Sequence, residues 1–460
     1  MVAALDLGSS SSRSGSSSLP IRTKKDTKHK PQICLRFFLL SFIFFFYNFA
    51  TSIKVSTKNY NIMQKFDPAT NIQAIDQKDA YRGVNPAICD SATFMFEEAH
   101  TMTDTFHGET EGYFLYSRHW NPSTLALAKA LAAMEGTESA WATGSGMAAI
   151  TVALLHEVKA GDHILSSMTT YGGTFAFLNN YIKKFGVEVT FVNMQDLDAV
   201  KKAIRPNTKV LYTETMNNPL LRIANIPELS KIAHAAGARL LVDNTFTPMI
   251  FSPYRLGADV VIYSMTKYVN GMNDCVAGAI CGSADYINSL INVNDGTAML
   301  LGPVLDPYRS SSIQKNLHTL HIRMKKHSEN AMYLAKRFKE TGIKYNYPGL
   351  PEHVDHELFK SMMNEEYGFG GMISIDMGTA EKASAIMEEM QRLGVGYLAV
   401  SLGYFKTLFS NSGKSTSSEV PEDIQKEMGM SEGLIRFSVG LDNDPERTFQ
   451  LIKQAIEAVK

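Results

Sequence analysis

Cysteine is scarce in this chain: four in 460 residues, Cys34, Cys89, Cys275 and Cys281, with no CxxC pair among them. That excludes a disulfide scaffold and a thiolate metal cluster, and it suits a reducing compartment, so the expected location is the cytoplasm. Net charge is lacking too. With 45 basic against 46 acidic residues, no broad field exists to draw nucleic acid or an anionic membrane. Long apolar runs are missing: the best candidate, residues 37–47, falls short of the roughly 20 residues that span a bilayer. No internal repeat and no cluster of metal-ligating residues stands out, and no metal is expected.

The first 62 residues differ from the rest. Residues 9–18 are nearly all serine, Arg22, Lys24, Lys25, Lys28 and Lys30 form a basic run, and the apolar stretch with Phe44, Phe45 and Phe46 follows. Basic-then-apolar order is that of a targeting segment or signal anchor, which would move the protein to an organelle or the secretory pathway. The preferred reading is an upstream extension without fixed structure, with initiation at Met63, because residues 63–460 read as self-sufficient.

Residues 66–122 show little periodicity. From Ser123 the pattern becomes regular: Ser123 or Thr124 caps a helix through Leu125, Leu127, Leu131 and Met134, stopped by Gly136. Helices over 146–158, 174–185, 196–204 and 227–236 then alternate with strands over 163–166, 187–192, 209–214 and 239–244, and a strand over 259–264 follows. Repeated βα units predict an α/β fold, a mostly parallel sheet covered by helices on both faces. Beyond about Met299 a long helical stretch (311–342) precedes strand-like segments at 371–377 and 434–439, a smaller α+β C-terminal domain. The expected divisions are an extension (1–62), an arm (63–122), a large domain (123–300) and the C-terminal domain (301–460).

The strongest chemical signal lies at two strand ends. Ala258–Ser264 is an apolar run that opens into Met265-Thr266-Lys267, and Leu240-Leu241-Val242 ends in Asp243. Ligands of open α/β sheets bind at the carboxyl ends of strands. A lysine amine at one end and a carboxylate at another are what pyridoxal phosphate needs: an amine to capture its aldehyde and a partner for its ring nitrogen. Burial should depress the lysine's pKa and free it to act as a base. Gly144-Ser145-Gly146-Met147 opens a helix whose free N–H groups suit a phosphate, with the hydroxyls of Ser264 and Thr266 nearby in sequence. The same segment fits GxGxxA, but no ribose-binding acid follows at the right distance, which argues against a nicotinamide cofactor. Tyr171 follows another strand, where it could stack on a ring and deliver a proton. Glu214 and Asn218 lie at the end of the 209–214 strand, Asn218 within reach of a ring oxygen. Tyr116 and Arg118 sit in the arm, arginine being suited to phosphate. Arg436 is a charge inside an apolar strand and needs an anion, either a substrate carboxylate or a structural acid.

Together these residues resemble the Cys/Met-metabolism family of fold-type-I PLP-dependent enzymes, from about Asn71 to the C-terminus. Supporting stretches are Tyr-Ser-Arg-His-Trp-Asn-Pro (116–122), Tyr-Pro-Gly-Leu-Pro-Glu-His (347–353), Tyr-Gly-Phe-Gly-Gly-Met-Ile-Ser-Ile-Asp-Met (367–377), Ala-Val-Ser-Leu-Gly-Tyr (399–404) and Ser-Gly-Lys-Ser-Thr-Ser-Ser-Glu (412–419). Within the family they look most like the plant methionine γ-lyases. The resemblance implies that Lys267 carries the cofactor, Asp243 pairs with its ring nitrogen, and Tyr171 stacks and acts as the acid. It implies that Gly146, Met147, Ser264 and Thr266 hold the phosphate and that Ser401 and Arg436 bind the carboxylate of a sulfur amino acid. Tyr116 and Arg118 would reach a neighbouring subunit's phosphate in a homotetramer built as a dimer of dimers. The implied reaction is α,γ-elimination of methionine; γ-replacement on an activated homoserine and cystathionine cleavage use the same residues and stay open. Four departures bear on substrate choice: Gly173 stands where bacterial methionine γ-lyases carry cysteine, Asn273 follows Gly-Met rather than Gly-His, Met216 replaces a frequent proline, and Ser-Thr-Ser-Ser (415–418) replaces a histidine-bearing motif.

Overall fold

The computed structural model describes residues 66–77, 79–411, 425 and 429–459. The expectations for the first 62 residues and for the 412–419 motif lie outside the described residues.

Seven strands form the first sheet: β1 Ser139–Thr143, β2 His163–Ser167, β3 Glu188–Val192, β4 Thr208–Glu214, β5 Arg239–Asp243, β6 Val260–Ser264 and β7 Gly278–Gly282, in spatial order β1-β7-β6-β5-β4-β2-β3. Neighbours among β2 to β6 run parallel, and β7 is antiparallel to both β1 and β6. Side chains alternate between faces along a strand. Leu211, Val242, Val261 and Ala279 accordingly enter one apolar core, while Val210, Tyr212, Leu241, Val260, Ile262 and Ile280 enter the other. This is the doubly covered α/β sheet that the apolar strands predicted. Strands β1 and β7 were not foreseen, because Ser-Ala-Trp-Ala-Thr and Gly-Ala-Ile-Cys-Gly are short and rich in small residues with little β-preference.

Five further strands, β8 Tyr345–Asn346, β9 Met372–Asp376, β10 Gly396–Leu398, β11 Thr407–Asn411 and β12 Leu434–Ser438, form a second sheet in order β10-β11-β12-β9-β8. One face packs Ile373, Ile375, Phe409, Ile435 and Phe437 against Leu334, Phe338, Ile386, Phe449 and Ile452 of flanking helices. Arg436 falls on the opposite face, beside its register partners Ser374 and Ser410. Period two therefore explains how a charge sits in an apolar strand.

The helices refine the expectations. Helix Pro122–Glu135 is capped by Asn121, not Ser123 or Thr124, and Thr124 supplies the reciprocal bond of a capping box. The helix expected over 174–185 comprises an α-turn Gly172–Ala176, a π-segment Phe177–Tyr181 and a 3-10 turn Ile182–Phe185. The long segment 311–342 divides into Pro307–Leu317 and Leu320–Thr341. Among the described residues, no helix is long and apolar enough to cross a membrane, and no cluster of metal-ligating side chains is present.

Candidate active site

The carboxyl ends of β4, β5 and β6 converge on a cavity of about 280 Å³. Eleven predicted residues line it: Ser145, Gly146, Met147, Tyr171, Glu214, Asn218, Asp243, Ser264, Thr266, Lys267 and Arg436. A larger hollow of about 730 Å³ lies against Ile72, Arg82, His318 and His321. It contains no lysine among its lining residues and lies away from the strand ends, so the smaller cavity is the candidate site.

Lys267 lies in the turn after β6, its backbone N–H donating to Ser264 O at 3.2 Å. Its Nζ donates to Ser401 Oγ at 3.1 Å. Burial and the nearby Arg436 charge lower its pKa to about 8, so the neutral amine is accessible near neutral pH. Gly403, at φ +76°, makes the approach possible: a Cβ there would lie 2.6 Å from Tyr268 N and 3.0 Å from the Lys267 carbonyl carbon. Only glycine lets the Ser401 loop lie directly on the backbone of the lysine turn.

Asp243 closes β5 and is buried, its Oδ1 accepting the Thr245 N–H at 2.9 Å. Glu214 closes β4 as its register partner and accepts the Tyr171 N–H at 2.6 Å. Two carboxylates in one dry pocket do not both ionise cheaply. Burial and the Asp243 charge push Glu214 far above the usual carboxylate range, so Glu214 keeps the proton and Asp243 carries the charge. Burial raises Asp243 as well, a penalty that a cation on its open side would offset.

The phosphate end is built from a helix start. Ser145 caps Gly146–Glu157 by accepting the Ala148 N–H at 2.9 Å. A Cβ on Gly146 would lie 2.7 Å from Ser264 Cβ, so glycine brings the helix end against the β6 hydroxyl. Thr266 lines the same cavity while its Oγ1 accepts the Ala277 N–H at 3.0 Å. Tyr171 stands at the rim, 43 % exposed, and its ring fills the space beside Gly173, where a Cβ would come within 2.7 Å of Tyr171 Cε1.

Arg436 reaches from β12 into the cavity and donates from Nη1 to Asn218 Oδ1 at 3.0 Å. Asn218 therefore links the two sheets as well as lining the pocket. Burial brings the arginine down to about 10, still charged at neutral pH. Tyr116 and Arg118 do not enter the pocket of their own chain: Arg118 Nη1 donates to Met299 O at 2.7 Å and its guanidinium stacks 5.7 Å from the Tyr116 ring. Sequence reasoning missed Thr245, Phe246, Val400 and Leu402 as lining residues; their only signal is adjacency to Asp243 and Ser401. The set fits pyridoxal phosphate: a buried carboxylate, an amine, and a glycine-opened helix start beside a hydroxyl occupy one cavity.

Comparison with known proteins gives the same chemistry. Residues 69–456 match the family described as Cys/Met metabolism PLP-dependent enzyme. A methionine γ-lyase of Arabidopsis thaliana is 42 % identical over 396 residues, covering 85 % of this chain and 90 % of that protein. An L-methionine γ-lyase of Fusobacterium nucleatum subsp. polymorphum is 38 % identical, covering 85 % and 96 %. A solved structure of a putative O-acetylhomoserine (thiol)-lyase from Campylobacter jejuni, which holds a pyridoxyl-lysine monophosphate, superposes with TM-score 0.78 at 29 % identity, covering 85 % of this chain and all of that one.

Proposed function

The chain belongs to the Cys/Met metabolism PLP-dependent enzymes, and from that premise we propose that it cleaves L-methionine with water to methanethiol, 2-oxobutanoate and ammonia. The observation that carries this reading is the meeting of Lys267, Asp243 and Arg436 in one cavity whose apolar lining includes Met216, Phe246, Val400 and Leu402. An apolar wall suits a methyl thioether.

Bound pyridoxal phosphate supplies an electron sink that makes the substrate's Cα and Cβ protons acidic. Asp243 would hold its ring nitrogen, the Gly146 helix start with Ser264 and Thr266 its phosphate, and Tyr171 its face. Arg436 is the charge available to the substrate carboxylate; such a contact is worth roughly 1.5–3 kcal/mol. Lys267, as the free amine, takes the Cα proton. Its pKa of about 8 means that the base form grows as pH rises toward 8, and kcat, which reports the substrate-bound enzyme in which this amine is free, should rise with it. Tyr171, anchored through its N–H to Glu214, delivers a proton to the departing sulfur.

Tyr116 and Arg118, together with the exposed arm residues Tyr81, Val84 and Met95, support a dimer of dimers in which each arm completes a neighbour's phosphate site. Large apolar side chains left in water by one chain favour a covering partner. The test is turnover of the full chain with pyridoxal phosphate and methionine as sole substrate. Equal 2-oxobutanoate and thiol are expected, and Lys267→Ala should abolish both. Product only from an activated homoserine with added thiol would refute the lyase reading and make the protein a γ-replacement transferase.

A further inference from the structure

We infer that Asn273 fixes the Ser401 hydroxyl as an acceptor for the Lys267 amine, and so acts as a positioning residue for the lysine. Lys267 Nζ donates to Ser401 Oγ at 3.1 Å, and Ser401 Oγ in turn donates to Asn273 Oδ1 at 2.9 Å. A serine hydroxyl has one proton and two lone pairs. With the proton committed to the amide oxygen, only lone pairs face the amine. Donation by the hydroxyl also strengthens it as an acceptor.

Asn273 is exposed, so water competes for its amide, and the contact depends on a rigid turn. The turn is held from several sides. Gly271 N donates to Lys267 O at 2.7 Å. Asn270 Nδ2 donates to Asp274 Oδ1 at 2.7 Å, and Asn316 Nδ2 to Asn270 Oδ1 at 2.8 Å. The buried Arg323 donates to the carbonyls of Tyr268, Val269 and Asn316. Asn273 itself has φ +52°, a left-handed conformation that asparagine tolerates better than most residues. The lysine turn thus folds back to offer an acceptor to the serine that faces its own amine. While engaged with Asn273, Ser401 has no proton to give a substrate carboxylate, which leaves that contact to Arg436.

The inference rests on Lys267 being the reactive amine. Its test uses the full chain with Asn273→Gly, which keeps the left-handed backbone, Asn273→Asp, which keeps an acceptor and adds a charge, Ser401→Ala, and the double variant N273G/S401A. One readout is kcat. N273G should lower it about five-fold where Ser401 is present and under about two-fold in S401A. The other is the pH midpoint for reloading the stripped full chain with pyridoxal phosphate, followed by absorbance, which reports the free amine. Arg436, Tyr171, Asp243 and Glu214 line the same cavity and are common to every variant. N273G should move the midpoint down by about half a pH unit, because the ammonium loses an oriented acceptor, and N273D should move it up. Equal kcat losses in both backgrounds, or a midpoint that N273G and N273D leave in place, would overturn the inference. Reloading involves no substrate, so failure of the methionine reading is seen separately, as wild type that reloads but yields no 2-oxobutanoate.

Discussion

Glu135 offers a test of the buried electrostatics beneath the site. It ends helix Pro122–Glu135 and is 1 % exposed. Oε1 accepts the Tyr254 N–H at 3.0 Å, and Oε2 accepts the Tyr263 hydroxyl, which takes a bond from Asn244 Nδ2 at 2.9 Å. Burial dominates these bonds and raises the carboxyl from its ordinary 4.5 to about 8. The sign follows from linkage. Below pH 4.5 both folded and unfolded chains hold the proton, and the full stability is present. Between 4.5 and about 8 the unfolded chain has released it while the folded chain retains it, so stability falls as pH rises. Above about 8 the loss levels off. At about 1.4 kcal/mol per tenfold, the displacement from 4.5 to about 8 corresponds to about 5 kcal/mol. Glu135→Gln keeps one oxygen for the Tyr254 N–H, turns an amide N–H toward the Tyr263 oxygen in place of the second acceptor, and removes the titration. The assay is the melting temperature of wild type and E135Q, loaded alike, from pH 5.5 to 8.5. The difference between them should move steadily in favour of E135Q as pH rises. A difference that stays flat across that window would refute a neutral buried Glu135.

The remaining predictions concern the pocket. Glu214→Gln should change kcat less than about three-fold, because a protonated carboxyl and an amide are near-isosteres and the Tyr171 N–H keeps its acceptor. Asp243→Asn should instead weaken retention of pyridoxal phosphate on dialysis; equal losses for the two would show that Glu214 is charged. Arg436→Lys should cut kcat/KM for methionine by about 10–150-fold, the equivalent of a lost charge-assisted bond, with the fall mainly in KM. A change confined to thermal stability would mean that Arg436 serves only to join the sheets through Asn218.

The large sheet was legible wherever strands were apolar and followed by a helical period. Leu240–Val242 and Val260–Ile262 could not be exposed, and buried runs joined by short helices imply parallel packing. The strands that escaped notice carry little such signal. β7 is Gly-Ala-Ile-Cys-Gly, and its glycines serve close contact: a Cβ at Gly278 would lie 2.2 Å from Ser145 O. A strand selected for thinness loses the bulk that marks strands in sequence. The helix start at 121 was misplaced by two or three residues because Ser123 and Thr124 are both good caps. Asn121 wins because Pro122 suits the first helical position and Thr124 can then return the bond.

Site residues divide along the same line. Asp243, Glu214 and Lys267 were readable because each stands at the end of its own strand, and the fold carries strand ends to one place. Arg436 was readable as a charge inside an apolar strand, though not as a partner of Asn218, which lies 218 residues away. Asn273 gave only an oddity, Gly-Met before it in place of Gly-His, because its role exists only once a loop from the second sheet brings Ser401 to the lysine. Gly403 permits that approach: its left-handed backbone and missing Cβ set the spacing between loop and turn. The surroundings of the lysine amine therefore depend on contacts between segments more than 100 residues apart, Ser401 with Lys267 and with Asn273. Substitution at Asn273, which does not line the cavity, should perturb the lysine without altering any residue that does.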